Sequence, residues 1–337
     1  MDHTRPATLA DVARRAEVSV ATASRVLNGS THRVSEQLAD KVRHVAVDLN
    51  YAPNVQAQGL ARNTSSVVVV LLHDITDPYF GQIAHGVLAE AARRDVRVVI
   101  AETGINPGNE NEQLLSLRGF RPRSAIVVGS RTSHVESEKR LAHTLCQLRA
   151  VGASVVSVGQ KGLPGACLHP CNRAGAHAVA EHFVGLGHRR FAIITGPQTL
   201  RVVTERHDGF VAGLPDGAPV DVITAEFSRT GGYEAGRTFA ANADRATAVF
   251  VTSDVMATGF CTALREAELS IGVDVSVAGF DDIPVAADLY PPLTTVRLPL
   301  VDMGVRALGL AIDGPLDEVV QIDTELVVRG STGPAPS

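Results

Sequence analysis

A short stretch near the start of the chain, VSVATASRVLNGS, has helical spacing but an unusually bare face. Exposed helix faces normally carry long Glu, Lys or Gln side chains, which favour helix formation and solubility. This face instead carries Val20, Ala21 and Arg25. Small apolar side chains can meet thymine methyl groups in the major groove of DNA, and an arginine can pair with guanine O6 and N7. The neighbouring side chains that could bond to phosphates are those of Thr22, Ser24 and Asn28.

Three short helices are predicted to position this face. They cover residues 9–16, 20–27 and about 36–48, with Thr8, Ser19 and Ser35 as their N-terminal caps. The Asn28-Gly29-Ser30 turn ends the second helix. Two short helices joined by a tight turn, with a third behind them, indicate a helix-turn-helix head that binds DNA. The alternative is a small helical subdomain that packs against another domain and has a plain face by chance.

The composition is that of a folded protein. The 337 residues are enough for two domains, or for one domain and a small module, and 45% of them are hydrophobic. The longest apolar run, Val67–Leu72, is far too short to span a bilayer. The stretch MDHTRPATLADV contains no apolar signal-peptide region. We therefore expect a cytoplasmic protein without a membrane partner.

The net charge of −5 is unevenly distributed along the chain. Residues 1–64 hold eight Arg and Lys against six Asp and Glu, so the remainder of the chain is strongly acidic. This asymmetry is typical of a basic binding head on an acidic body.

The cysteines do not indicate a metal site. Of the four, only Cys167 and Cys171 are close in sequence, and no second Cys or His pair stands at a zinc-site spacing. In the cytoplasm such thiols stay reduced. We expect neither a bound metal nor a cofactor.

From residue 66 onward, strand and helix patterns alternate. Phe80, Ile83 and Val87 keep the spacing of an amphipathic helix. Alternation of this kind produces doubly wound parallel sheets that are covered by helices on both faces. The pattern resets after GQKGLPG, which favours two similar α/β subdomains with a ligand cleft between them. The predicted strands lie near 67–72, 96–101, 125–129, 154–158, 190–195, 248–252 and 275–279.

Motifs along nearly the whole chain resemble the LacI–GalR family of bacterial transcription regulators. TLADVARRAEVSVATASRVLNG resembles the family's DNA-binding head, LNYAPNVQAQGLAR its hinge, and DPYFGQIAHGV the start of its effector core. GHRRFAIITGP, TSDVMATGF, DVSVAGFDDIP and PPLTTVRLP match further core motifs in the same order.

The resemblance implies a domain organisation. It gives a small all-α helix-turn-helix head at 1–52, a hinge helix and linker at 53–65, and a periplasmic-binding-protein-like core at 66–337. The core divides into an N-subdomain, about 66–162 and 296–318, and a C-subdomain, about 163–295 and 319–332.

The resemblance also implies a homodimer that binds a pseudo-palindromic DNA operator as a transcriptional repressor. In the family, the positions of Val20, Ala21 and Arg25 face the bases, and that of Leu60 wedges into the minor groove. The alternative for Leu60 is a linker residue that rests on the core. The candidate DNA-binding residues are Thr8, Ser19, Val20, Ala21, Thr22, Ser24, Arg25, Asn28, His32, Asn54, Ala57 and Leu60.

The family's core cleft binds a small effector. The matched positions offer carboxylates and a guanidinium for vicinal hydroxyls and aromatic rings for stacking, which fits a sugar or a nucleoside. Structural alternatives stay open: Arg206 and Asp281 as an ion pair that lines the cleft, Phe227 as a core residue, and Asp254 as a helix cap. The candidate effector-binding residues are Asp74, Asp77, Tyr79, Phe80, Arg206, Phe227, Ser253, Asp254 and Asp281.

Three features depart from the family pattern. The family often has Asn at the positions of Asp77 and Ser253, and Asp before Asn where Cys171 precedes Asn172. These changes alter hydrogen-bond donors in or near the cleft, so the resemblance does not identify the effector. The tail, GSTGPAPS, lacks the leucine heptads of a tetramerising coiled coil, and a dimer is expected.

An enzyme that uses the α/β core is the main alternative from another class. No Walker-A loop, G-x-G-x-x-G fingerprint or G-x-S-x-G elbow follows a predicted strand, and no H-E-x-x-H pair is present. A sugar-binding transport protein conflicts with the helix-turn-helix head and the missing signal peptide. A regulator that has lost DNA binding conflicts with Arg25 and Leu60. We therefore expect a regulator that is not an enzyme.

Gly59 lies inside the hinge segment that we expect to become helical on DNA. A helix of two turns is marginal alone, and an interior glycine costs about 1 kcal/mol relative to alanine. Gly59→Ala should therefore tighten operator binding several-fold and weaken the effector's influence, because the hinge becomes easier to order. Operator titrations with and without effector measure both effects. Weaker binding would mean that Gly59 is needed for a non-helical angle or for close hinge packing.

Overall fold

The computed structural model describes residues 7–27, 34–52, 66–106, 108–159 and 161–336. The chain divides into two compact units, residues 1–65 and residues 66–337. Within the described ranges, no helix combines the length and the apolar character that crossing a bilayer requires.

The first unit contains the three predicted helices: α1 Leu9–Ala16, α2 Val20–Leu27 and α3 Glu36–Asp48. They share a small core in which Val12, Ala23 and Val42 are fully buried. Small side chains at these contacts allow short helices to pack closely. The helix-turn-helix arrangement predicted from the spacing is confirmed.

Two of the three predicted caps form as expected. The Thr8 and Asp11 side chains and backbone N–H groups bond reciprocally in a capping box at the start of α1. The Ser19 hydroxyl accepts the N–H of Thr22 at 3.0 Å at the start of α2. The prediction for Ser35 was wrong in detail: its hydroxyl makes no capping bond, and the first-turn N–H groups of α3 bond to its backbone carbonyl instead.

The second unit contains two six-stranded sheets. The strands of the first sheet are β1 Val67–Leu72, β2 Arg97–Glu102, β3 Ser124–Val128, β4 Ser154–Val158, β5 Ala166–Pro170 and β11 Val319–Ile322. Their order is β11-β5-β4-β3-β1-β2, and every pair is parallel. In this register Val70 of β1 lies between Ile100 of β2 and Ile126 of β3.

The second sheet repeats this plan. Its strands are β6 Phe191–Thr195, β7 Val220–Thr224, β8 Ala248–Val251, β9 Ser276–Asp281, β10 Thr294–Arg297 and β12 Glu325–Val327. Their order is β12-β10-β9-β8-β6-β7, and only the short β12 is antiparallel to its neighbour. The core fold predicted from strand–helix alternation, two parallel sheets, is confirmed.

Helices cover both faces of the sheets. They are α4 Pro78–Arg93, α5 Asn109–Leu117, α6 Val135–Ala150, α7 Asn172–Gly185, α8 Arg201–Ala212, α9 Arg229–Ala241, α10 Asp254–Glu266, α11 Val285–Asp288 and α12 Leu300–Asp313. Alternate residues of β1 enter different cores because successive side chains point to opposite faces. Val68 and Val70 pack in the core that contains α4 and α12, whereas Val69 and Leu71 pack in the core that contains α5 and α6.

The sheets correct the predicted subdomain boundaries. The boundaries near 163 and 319 assign β5 and β11 to the C-subdomain, but both strands pair in the first sheet. The chain therefore crosses between the sheets at three places, after β5, after β10 and after β11. Strands β5, β7, β10, β11 and β12 were missing from the sequence prediction, because they are short or lie towards the sheet edges, where the apolar run is weak.

Helices α4 and α12 pack against each other through two glycines. A Cβ atom at Gly86 would collide with the carbonyl oxygen of Val301, and one at Gly304 with that of Ile83. Both obstacles are backbone atoms and cannot turn aside.

We predict that Gly86→Ala lowers the free energy of unfolding by about 1–3 kcal/mol through overpacking. Gly309→Ala, also on α12, is the control: its Cβ would meet no atom within 4 Å, and helix propensity should raise stability by up to about 1 kcal/mol. Chemical denaturation of the full chain measures both, and equal effects would contradict the close contact.

Candidate functional site

Helix α2 has the buried and bare sides that its sequence predicts. Ala23 is fully buried in the core of the first unit, with Val26 and Leu27 partly buried beside it. On the other side Val20 is 50% exposed, and Ala21 and Arg25 are exposed as well. The bare face is therefore left exposed by the part of its unit that the structure describes.

The polar candidates in this unit have local roles too. The Thr8 hydroxyl donates to Asp11 Oδ2 at 2.6 Å, and the hydroxyls of Ser19 and Thr22 lie 2.8 Å apart. Ser24 is half-buried on α2. The remaining DNA-binding candidates, Asn28, His32, Asn54, Ala57 and Leu60, lie outside the described residues.

The second unit contains a cavity of about 740 Å³, counted with its open mouth. Strands of both sheets end at it: Gly129 and Gly159 follow β3 and β4, and Asp281 ends β9. Seven of the nine predicted effector residues line it, namely Asp74, Asp77, Tyr79, Phe80, Arg206, Phe227 and Asp281. This position at the carboxyl ends of parallel strands is where α/β folds bind ligands.

Arg206 forms the centre of one cavity wall and is only 3% exposed. Its Nη2 donates to Asp281 Oδ1 at 2.8 Å and its Nη1 to the Thr252 carbonyl at 2.6 Å. Its Nε donates to Asn172 Oδ1 at 3.1 Å, and its guanidinium carbon lies 3.8 Å from the centre of the Phe280 ring. The buried charge is thus matched by a carboxylate and held from four sides.

Asp281 is held in a strained and desolvated position. Its φ angle of 112° is unfavourable for a side chain with a Cβ, and such strain is typical of functional sites. Burial raises the pKa of Asp281 to about 6, although the Arg206 guanidinium opposes this. The structure shows the ion pair lining the cleft that the sequence left open for these two residues, and effector binding by them stays a prediction.

The start of α4 forms the opposite wall. Asp77 caps the helix by accepting the N–H of Tyr79 at 2.9 Å, with Pro78 at the first helical position. The Tyr79 and Phe80 rings meet edge to face with centres 4.9 Å apart. Burial raises the pKa of Asp77, and the nearby charge of Asp74 adds to the shift.

Comparison with known proteins decides the family. Residues 8–54 match the family model "Bacterial regulatory proteins, lacI family", and residues 180–332 match "Periplasmic binding protein-like domain". The chain is 30% identical to the HTH-type transcriptional regulator DegA of Bacillus subtilis (strain 168), over 97% of this chain and 98% of that one. The chain belongs to the LacI family. It is a DNA-binding transcriptional regulator.

Two further relatives of this LacI-family protein are informative. The ribose operon repressor of Halalkalibacterium halodurans is 30% identical, over 96% of this chain and 97% of that one. A Lac repressor dimer, solved bound to operator and the anti-inducer ONPF, superposes with a TM-score of 0.82 at 24% identity, covering 98% of this chain and 100% of that one. At 24% identity, this similarity shows that the two proteins share a fold.

Two predicted effector residues of the LacI-family core do not line the cavity. Ser253 caps α10 by accepting the N–H of Met256 at 3.4 Å. Asp254 is fully buried, and its carboxylate accepts the N–H of Ile283 and the hydroxyl of Thr295. Burial raises the pKa of Asp254 well above its usual range. The structure therefore does not bring these two side chains to the cavity: Ser253 bonds within the start of α10, and Asp254 joins α10 to β10 and to the segment after β9.

Several cavity residues were missed from the sequence. Asn172 begins α7, accepts from Arg206 and donates to Glu205 at 2.8 Å. His73 follows β1 directly, and its Nε2 lies 3.7 Å from Glu110 Oε1. Their positions next to strand ends are the sequence feature from which both could have been predicted as cavity residues. The other missed lining residues are Ile105, Gly129, Ser130, Gly159, Pro170, Leu200 and Val202.

The two halves of the core touch beside the cavity. Residues 130–133 follow β3 of the first sheet, and residues 199–202 comprise the two residues before α8 and its first two residues, in the half that contains the second sheet. Ser133 N donates to the Thr199 carbonyl at 2.8 Å, and Val202 N to the Ser130 hydroxyl at 3.1 Å. This backbone contact closes one side of the cavity.

The cysteines are unpaired thiols in the described chain, with Cys167 buried and Cys171 half-buried. Within the described ranges, no group of three or more His, Cys, Asp or Glu side chains is arranged to hold a metal ion.

We predict that Arg206→Ala lowers the free energy of unfolding by about 3–5 kcal/mol, because it leaves Asp281 buried without its counter-charge. The control is Arg173→Ala, which removes a surface pair with Asp208 at 2.8 Å and should cost at most about 1 kcal/mol. Chemical denaturation of both variants checks the difference. Similar small losses would show that the buried pair adds little.

Proposed function

We propose that this LacI-family regulator is a homodimeric repressor whose operator affinity is set by a sugar or nucleoside bound in the core cavity. The observation that carries the proposal is the pairing, in one chain, of a bare helix face with a polar and aromatic cavity. A ribose operon repressor and an operator-bound Lac repressor dimer among its relatives support the same assignment.

Helix α2 would lie in the major groove. Val20 and Ala21 are short enough to let the backbone approach the bases and to contact thymine methyl groups. Arg25, exposed in the last turn of α2, would pair with a guanine. Two copies of the head related by a twofold axis would read a pseudo-palindromic operator, with Leu60 of each hinge at the minor groove. We propose that this complex of the protein with its operator forms in the cytoplasm.

The cavity would bind the effector through two kinds of contact. Carboxylates and the Arg206 guanidinium offer charged hydrogen bonds to vicinal hydroxyl groups. Tyr79, Phe80 and Phe227 offer ring faces and edges for a pyranose, furanose or base. Because the cavity lies between the two halves of the core, a bound ligand would change the relative position of those halves. Operator affinity would then depend on that relative position.

We predict that Arg25→Ala weakens binding to the specific operator by about 1–3 kcal/mol and relaxes the preference at one base pair, with little change in non-specific binding. Arg43→Ala on α3, an exposed arginine paired with Asp40 at 2.8 Å, is the charge-matched control and should leave the base preference unchanged. Fluorescence anisotropy at fixed salt measures both. Equal losses on specific and non-specific DNA would make Arg25 a phosphate contact.

The proposed function is tested by selecting bound sequences from a random DNA pool with the full-length protein. The selected complex is then titrated with a panel of sugars and nucleosides. We expect a pseudo-palindromic site and a change in operator affinity with at least one compound. Phe227→Ala should weaken that response, and Phe120→Ala, at an exposed phenylalanine absent from the cavity lining, should not. If the selection enriched no DNA sequence, the proposal would be overturned.

A further inference from the structure

The cavity that we propose as the effector site has an unequal balance of charge. Three carboxylates line it, those of Asp74, Asp77 and Asp281, against one guanidinium, that of Arg206. The aromatic wall and the position of the cavity at the ends of the strands are separate observations that point to a ligand at this place. A ligand in this cavity is therefore surrounded by more negative than positive side chains.

Arg206 has little charge left to offer a ligand. Three of its five N–H groups already donate, to Asp281, to the Thr252 carbonyl and to Asn172, and the other two remain for neutral hydroxyl groups. Its positive charge is matched by Asp281 at 2.8 Å, deep in the wall. An anionic ligand would have to compete with that carboxylate for the same guanidinium.

Asp77 and Asp74 have no such counter-ion. Among the described residues, no nitrogen of Lys, Arg or His lies within 4 Å of either carboxylate. The Asp77 side chain accepts one hydrogen bond, from the Tyr79 N–H, and Asp74 Oδ1 accepts from the N–H and hydroxyl of Thr76. These are neutral donors, so neither carboxylate has a charged partner in contact, and the Arg206 guanidinium that acts on Asp77 from a longer distance is paired with Asp281.

Groups behind the wall do not supply the missing positive charge. The Arg131 guanidinium, 1% exposed, is paired with Glu110 at 2.6 Å and lies 3.6 Å from Glu138. His73, which faces the cavity, directs Nε2 towards the same Glu110. Asn172 is bonded to a further carboxylate, that of Glu205.

We infer that the effector carries a protonated amine, which binds at Asp77 beside the Tyr79 and Phe80 rings. The inference rests on the proposed function and narrows its ligand class to an amino sugar or an amino nucleoside. An ammonium group gives Asp77 a charge-assisted hydrogen bond, and the neighbouring ring faces attract a cation. Phosphorylated sugars and sugar acids are rejected because they would add negative charge beside Asp74 and Asp77.

The experiment uses matched ligand series and isothermal titration calorimetry on the full-length protein at neutral pH. Glucose, galactose and mannose are each compared with the 2-amino, 2-acetamido and 6-phosphate derivatives, and adenosine is compared with its 3′-amino-3′-deoxy analogue. The acetamido compounds keep the bulk and remove the charge. Asp77→Asn keeps a good helix cap, and Asp216→Asn, at an exposed site outside the cavity lining, is the control.

We expect the amine of at least one series to bind about tenfold or more tightly than its neutral parent, the effect of one charge-assisted bond. Asp77→Asn should remove most of this preference, and Asp216→Asn should keep it. Any of three outcomes overturns the inference: neutral or phosphorylated compounds bind as tightly as the amines or more tightly, no amine binds, or Asp77→Asn leaves the preference unchanged. If a neutral sugar binds at least as tightly as its amine and alters operator affinity, this inference is overturned and the proposed function stands.

Discussion

The buried guanidinium of Arg206 is the constraint on which the core site depends. A charge that is 3% exposed is tolerated only when its hydrogen bonds are satisfied, since an unpaired buried charge costs several kcal/mol. Asp281, the Thr252 carbonyl and Asn172 must therefore all be in place at once. They stand at the ends of two strands and the start of a helix, so one side chain fixes the relative positions of β8, β9 and α7.

This constraint makes one half of the core a rigid wall, and the other half faces it across the cavity. The chain crosses between the sheets three times, and residues 130–133 and 199–202 join the halves again through backbone hydrogen bonds. Few hydrogen bonds hold this contact compared with the sheets themselves, and a contact of this kind separates at a lower cost than a sheet does. A ligand that touches both walls favours one arrangement of the halves by its difference in affinity for the two.

The sequence predicts best those features that depend on near neighbours. The head helices follow from capping residues such as Thr8 and Ser19 and from apolar spacing, and the central strands follow from continuous apolar runs such as Val67–Leu72. Edge strands such as β7, with alternating exposure, leave a weaker pattern. The exchange of β5 and β11 into the first sheet depends on pairing between distant segments, which local spacing does not report.

The same limit applies to the site. Position at or just after the end of a strand predicts that a residue lies near the cavity, and this holds for Asp74 and Asp281. It does not predict where the side chain points: Asp254 turns inward to Ile283 and Thr295, whereas Asn172, which no charge pattern singles out, reaches Arg206. Only the packed neighbours decide between these outcomes.

The central claim is that one chain couples the core cavity to DNA binding, and thermodynamic linkage gives it a direct test. The effector's dissociation constant is measured by calorimetry for the free protein and for the operator complex at the same salt concentration. The factor between the two values must equal the factor by which saturating effector changes operator affinity, which we expect to be about 5–150. Identical effector affinities with and without operator would contradict the account.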